Sequence, residues 1–385
     1  MARFLDNNKR ITLVSFLAYF VMSGMLAPIG IISGPMAELF GETITDVTAR
    51  FSWLTIGNLI GAVIAVFLFE WVPLKIVMIL VYASILTSLL SLNIVSDLSL
   101  VGPALGIVGV GCGLGLVGAA LIISRCYQAE RRASMLIITD GCFSVAGFMC
   151  AGIAAFLIVR EFHWASVYQF VGIVVTVIVL LCAFSRFPTT LPSEQETTVN
   201  LRWPLSIWCC LGALFLYTLG QFSMLWWLPN YVETTLHVGT EQAGRLVSLF
   251  WFGLFAAQIF VAWWVIRVGV RRLVLIAAVA TTFFSIPLWI VEDIASLSIL
   301  AFIWGFANLS LLKVVLSFAT EMLAIPSARL VSSLLLGATV GTAISPWVTS
   351  QIVVVTNNYF ILQFSTICYA SLTVLLFAAT RLFRV

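Results

Sequence analysis

Leu100-Val-Gly-Pro-Ala-Leu-Gly-Ile-Val-Gly-Val-Gly-Cys-Gly-Leu-Gly-Leu-Val-Gly-Ala-Ala-Leu-Ile-Ile-Ser124 carries no charged side chain from end to end. It exceeds the about 20 residues a helix needs to cross the hydrocarbon layer of a bilayer. The rest of the chain has the same character: of 385 residues, 62% are hydrophobic and 9% charged. A soluble protein carries about 25% charged residues, so a globule of this size has too little polar surface to face water. That excludes a soluble enzyme, a disordered region, a nucleic-acid binder and a secreted disulfide scaffold. The net charge of +3 is too small to attract a polyanion. The fold class is therefore an all-α membrane protein, with the bilayer itself as its first partner.

Scanning outward from Leu100–Ser124 with the same window predicts twelve spans. Six precede a polar gap: Ile11–Met36, Phe51–Phe69, Ile76–Ile94, Leu100–Ser124, Ser134–Val159 and Trp164–Phe184. Six follow it: Leu205–Leu228, Leu246–Ile266, Leu273–Val291, Leu297–Thr320, Leu330–Val353 and Tyr359–Ala379. The gap, Pro188–Asn200, is the longest polar stretch. The expected organisation is an N-terminal bundle over 1–187, a linker over 188–203 and a C-terminal bundle over 204–385. The first apolar run is too long for a cleavable leader and lacks an A-x-A exit, so it is expected to remain as span one.

The basic residues set the orientation. Fifteen of the nineteen Lys and Arg lie at the amino end, the even-to-odd turns, the linker region and the tail. The other side holds Arg50, Arg160 and Arg245, and Lys313 stands within a span. Both termini and the linker are thus expected in the cytoplasm.

The halves also repeat, at an offset of about 195–198 residues. Asp46 and Arg50 open span two as Glu241 and Arg245 open span eight, each an i,i+4 pair on one helix face. Tyr19-x-x-x-Ser23 answers Tyr217-x-x-x-Gln221, and the basic turn Val72-Pro-Leu-Lys75 answers Val268-Gly-Val-Arg-Arg272. Two parallel six-helix halves are one plan on which membrane transporters are built. The expected fold is two pseudo-symmetric bundles of six helices.

Little else in the sequence carries chemistry. The eight cysteines lie in or beside apolar runs without a CxxC pair, and read as small hydrophobes. His163 and His237 are the only histidines, both in short turns. No metal ligand set, phosphate loop or nucleophile constellation is legible, so no catalysis and no cofactor are expected. Gly111-Cys-Gly-Leu-Gly115 resembles a dinucleotide loop only in spacing, because no strand precedes it. Close helix packing is the expected use of the span-four glycines, and with the repeat Gly115 stands where Lys313 does, leaving room for a lysine or a solute.

Two ionisable residues stand inside spans. Asp140 is about six residues from the start of span five, and Lys313 about seven from the end of span ten. At mid-bilayer each costs roughly 2.5–3.5 kcal/mol on an insertion scale, so each is expected to avoid lipid.

Arg267-Val-Gly-Val-Arg-Arg272 resembles the cytoplasmic loop motif of the major facilitator superfamily, and Glu70-Trp-Val-Pro-Leu-Lys75 a degenerate copy of it. Within the superfamily, Glu70–Lys75 and Thr139-Asp-Gly-Cys-Phe-Ser-Val-Ala-Gly147 look most like the TsgA permeases, which are grouped with fucose–galactose–glucose:proton symporters. The chain departs from the fucose permeases in lacking a carboxylate between Tyr19 and Pro35. It also lacks the span-five proline of drug:proton antiporters.

The resemblance implies a monomer in the bacterial inner membrane, alternating access, and protons with a small organic solute as partners. It implies that Asp140 and Lys313 pair between the bundles when the cytoplasmic side is closed. A static ion pair, satisfaction within each bundle, or a snorkelling Lys313 are the alternatives. It further implies a cavity lined by spans one, four, seven and ten, with Tyr19, Ser23, Tyr217, Gln221 and Asn308 as polar contacts. Glu70, Lys75, Arg267, Arg271 and Arg272 are implied as a cytoplasmic gate, against the plainer reading of solvated topogenic charges. Trp226 and Trp227 are expected in an outer interfacial belt. Uptake, efflux of a possibly anionic compound, and a transport-silent scaffold or receptor all fit this reading.

Overall fold

A computed structural model of the chain describes residues 7–127, 129–187, 203–323 and 328–383. It forms two compact units, Met1–Thr198 and Val199–Val385. Most of the expected linker thus lies outside the described residues, and the division between units falls within it. Among the described residues every regular element is a helix. In hydrocarbon only a helix or a closed barrel satisfies every backbone amide and carbonyl internally.

The first unit contains α1 (Asn7–Leu26), α2 (Ile29–Phe40), α3 (Ile44–Arg50), α4 (Ser52–Trp71), α5 (Leu74–Ser91), α6 (Leu98–Cys126), α7 (Ala129–Val159) and α8 (Ser166–Phe184). The second contains α9 (Leu205–Thr235), α10 (Thr240–Val268), α11 (Val270–Ser285), a 3₁₀ turn at Pro287–Trp289, α12 (Ile294–Ala307), α13 (Leu311–Glu321), α14 (Ala328–Val355) and α15 (Asn358–Leu382). Among the described residues, twelve helices or helix pairs are long and apolar enough to cross a membrane. Side chains such as Trp71, Leu80, Ile173, Phe184, Ile259, Phe283 and Val374 are exposed on the outside, as lipid-facing residues should be.

The two units are built from matching helix pairs. In the first α1 packs on α7, α4 on α6 and α5 on α8; in the second α9 packs on α14, α10 on α12 and α11 on α15. Backbone contacts fix the repeat at 196 residues. A Cβ on Gly57 would overlap the Gly106 carbonyl, and one on Gly253 the Phe302 carbonyl. A Cβ on Gly109 would overlap the Leu54 carbonyl, and one on Gly305 that of Phe250. All four partners keep the one offset. Small residues let helices approach this closely where no hydrophobic force drives them together. The caps repeat as well: Asp97 accepts from the Ser99 amide at 2.7 Å, and Asp293 from the Ser296 amide at 2.8 Å.

Three spans depart from the continuous helices expected. Span one bends at Ala27-Pro28, because Pro28 has no N–H to return to the Gly24 carbonyl. The Met25 carbonyl beside the bend accepts from the Tyr168 hydroxyl at 3.2 Å. Span nine ends in the Pro287–Trp289 turn. Span ten breaks between α12 and α13, where Leu309 (φ 44°) and Ser310 (φ 54°) are left-handed. Left-handed backbone costs an L-residue roughly 1–2 kcal/mol, so two in succession need support from their surroundings.

Candidate functional site

The expected solute-facing residues sort by unit. In the first, Tyr19 and Ser23 lie one turn apart on α1; Tyr19 is half-buried, whereas Ser23 is sealed and its hydroxyl has no hydrogen-bond partner among the described residues. In the second, Tyr217 and Gln221 lie one turn apart on α9, both buried, with Met224 continuing the face. Asn308 ends α12 at the break in span ten and is 0% exposed. Its amide nitrogen donates to the Trp304 carbonyl at 2.7 Å, while its Oδ1 is buried without a donor among the described residues.

The break gathers more polar atoms than sequence reading found. Trp304, one turn before Asn308, lies tilted against Phe250 with ring centroids 4.2 Å apart and meets Tyr369 of α15 edge-on at 6.2 Å. Tyr217 of α9 and Tyr369 of α15 lie on two helices that pack on each other. Trp304 and Tyr369 were missed because an aromatic within a membrane span reads as core. Only the three-dimensional fold brings Tyr369 against Trp304.

Asp140 is half-buried on α7, and Lys313 is exposed on α13. The apolar window of span five opens at Ile138, so Asp140 stands close to the start of the hydrophobic stretch; Lys313 is eight residues from Glu321, where span ten ends. Glycine at 115 has a use other than making room for a lysine. A Cβ there would overlap the Tyr82 hydroxyl, and with the repeat at 196 Lys313 corresponds to Val117.

The basic turns fasten each unit to itself. Lys75 donates from Nζ to the Ala183 and Ser185 carbonyls at 2.9 and 3.0 Å, and Arg271, 196 residues on, donates to the Thr380 carbonyl. Each cation therefore closes the carboxyl end of its unit's last helix, where the unpaired carbonyls and the helix dipole favour positive charge. Asn7 and Arg10 also bond this end of the first unit, through the Arg186 and Phe184 carbonyls. Arg267 lies over the Trp263 ring at 4.0 Å, and Arg272 is exposed. The side chain of Glu70 lies outside the described residues.

Trp226 and Trp227 are 2% and 1% exposed, so they are core rather than an outer belt. The apolar face of α9 continues through them, with Phe222 and Trp226 in ring contact at 5.2 Å. Among the described residues no three His, Cys, Asp or Glu side chains gather as metal ligands would.

No protein-family model matches the chain. It is 26% identical over 351 residues to the protein TsgA homolog of Yersinia pestis (strain Pestoides F), a match covering 90% of this chain and 89% of that one. The homolog from Yersinia pseudotuberculosis serotype I (strain IP32953) matches equally. Among solved structures, the D-xylose-proton symporter superposes with a TM-score of 0.80 at 15% identity, covering 96% of this chain and 97% of its own. The nucleoside transporter NupG, solved as a point mutant, gives 0.73 at 12% identity, covering 98% and 100%.

Proposed function

We propose that this chain, which has the major facilitator fold and is similar to the TsgA proteins along nine tenths of its length, is a proton-coupled secondary transporter. It moves a small organic solute across the bacterial inner membrane by alternating access, with both termini and the 188–203 linker cytoplasmic. Orientation rests on the one-sided distribution of Lys and Arg. The observation that carries the reading is an ionisable residue in each half, Asp140 and Lys313, set in otherwise apolar spans. Charge at such a position is costly and marks ion or substrate pathways.

Asp140 is assigned the proton and Lys313 a part in coupling or gating, so that protonating Asp140 favours opening to the cytoplasm. Tyr19, Ser23, Tyr217, Gln221 and Asn308 contact the solute. Lys75 and Arg271 act first as fasteners within each half, a role that leaves Glu70, Arg267 and Arg272 to any gate.

The test is reconstitution into proteoliposomes with an interior pH dye. D-Xylose and nucleosides, the solutes in the structural neighbours' names, are the first probes. Asp140→Asn is expected to abolish pH-driven accumulation while sparing counterflow. Unchanged accumulation in a folded Asp140→Asn protein would falsify the coupling role. The exposed Lys313 favours a second reading, export of an anionic solute, and the direction of proton movement relative to solute decides between the two.

A further inference from the structure

Four polar atoms around the break in span ten are buried without a hydrogen-bond partner among the described residues: Trp304 Nε1, Asn308 Oδ1, Ser310 Oγ and Tyr369 Oη. Trp304, Asn308 and Tyr369 are each 0% exposed. Leaving one such group unsatisfied typically costs as much as or more than a formed hydrogen bond returns, so four in one place need an explanation. Strained backbone adjoins them at Leu309 and Ser310. Strain and unmet polar groups collect at sites whose bonds a ligand completes.

We propose that Trp304, Asn308, Ser310 and Tyr369 form a solute subsite within the second half that accepts an uncharged group able both to donate and to accept hydrogen bonds. The inference rests on the transport reading and narrows its substrate class. The indole N–H and the tyrosine O–H supply two donors, and the Asn308 oxygen supplies an acceptor; the Ser310 hydroxyl serves as either. Phe250, Trp304 and Tyr369 wall the site with aromatic surface, which suits the apolar face of a ring. Phe250, Trp304, Asn308, Ser310 and Tyr369 carry no charge, and the nearest charge in sequence, Lys313, is exposed one turn beyond Ser310, so an ion bound at these atoms would have no counter-charge among them. Tyr369 lies on span twelve, outside spans one, four, seven and ten, so the subsite extends into the bundle beyond the expected cavity wall.

Trp304→Phe and Tyr369→Phe keep the rings and remove only the donors. With no ligand added, the purified variants are expected to match or exceed the wild-type melting temperature, by up to roughly 2–4 °C. D-xylose, uridine and myo-inositol serve as neutral probes, D-glucuronate and choline as charged ones. At least one neutral probe is expected to raise the wild-type melting temperature, with that shift lost in both variants. A fall of several degrees in both unliganded variants shows the donors bonded to internal partners or bound water, and overturns the proposal. So does a shift confined to the charged probes, or no shift with any neutral one. Counterflow run in parallel separates the two readings. Binding without counterflow sinks transport and keeps the subsite, whereas counterflow with undiminished shifts in both variants sinks the subsite and keeps transport.

Discussion

Spans four and ten hold the same place in the two halves, yet α6 is one helix of 29 residues and its counterpart is split into α12 of 14 and α13 of 11. The two run alike from their aspartate caps through the glycines at 109 and 305. One turn later they diverge. Gly113 lies so close to α4 that a Cβ would overlap the Asn58 carbonyl. At 196 residues on stands Leu309, whose side chain has no room in an equally close crossing, and there the helix breaks. The flanking residues change character at the same point: Cys112 and Leu114 in span four correspond to Asn308 and Ser310 in span ten. The repeat is thus kept in its packing and broken in its polarity, which sets span ten apart from span four. Departures from local consistency are where function is expected to reside.

The strongest way to break this comparison is to add bulk where the two halves still cross alike, at Gly109 and Gly305. Gly109→Leu drives a side chain into the Leu54 carbonyl, and Gly305→Leu does the same to Phe250. Each is expected to cost about 3 kcal/mol or more, as overpacking of a rigid interface does. Expression and monodispersity on size exclusion should collapse for both. A well-behaved Gly305→Leu protein beside a lost Gly109→Leu would show that the second half yields where the first cannot.

Next in size are the fasteners. Lys75→Ala and Arg271→Ala each remove a half-buried cation from the carbonyls that end α8 or α15. A hydrogen bond to a charged group is worth roughly 1.5–3 kcal/mol when enclosed and less when partly wet, so about 1 kcal/mol per variant is expected. Equal losses in thermal stability confirm a shared device. A loss of transport with unchanged stability returns these residues to a gate.

Glycine then sharpens the comparison by changing the sign. Ser310→Gly relieves a left-handed residue and removes an unpartnered hydroxyl, and should stabilise the protein by about 1 kcal/mol. Leu114→Gly, at the matching position inside an intact helix, should destabilise by at least that much, through helix propensity alone. Melting curves of the two variants decide it. Two changes of the same sign would mean that span ten is not strained at its break.

Much of this was legible in sequence. Runs such as Leu100–Ser124 leave no alternative to a membrane helix, so the twelve spans and the two halves could be read from hydropathy. The basic turns at Lys75 and Arg271 were visible as a repeat, but their partners were not, because a backbone carbonyl has no sequence signature. The break at Leu309 was hidden for a related reason: neither Leu nor Ser announces a positive φ, and only the close crossing at Gly305 makes the next turn untenable. Tyr217 and Asn308 could be picked as polar positions on chosen spans. Trp304 and Tyr369 could not, since their N–H and O–H matter only where packing withholds a partner. Trp226 and Trp227 failed in the opposite direction, being given a boundary role by composition and a core role by the fold.

The smallest expected effect tests the point at which spans four and ten are still alike. Hydrogen bonds to the Asp97 carboxylate, from the Ser99 amide first, lower its pKa below the ordinary 3.8. Those from the Ser296 hydroxyl and then its amide lower Asp293 likewise. A carboxylate with a depressed folded pKa contributes stability above its unfolded value and loses it as pH falls through the folded one. The contribution of both caps is therefore complete at neutral pH and is lost progressively as pH falls below about 4. Asn caps a helix as well as Asp does but does not titrate. Asp97→Asn and Asp293→Asn should leave the neutral-pH melting temperature unchanged and flatten its decline in acid, each by a similar small amount because both carboxylates are open to solvent. A flattening confined to Asp97→Asn would mean that the two halves already differ at their caps, and the divergence of span ten would have to be traced to its first turn instead of to Leu309.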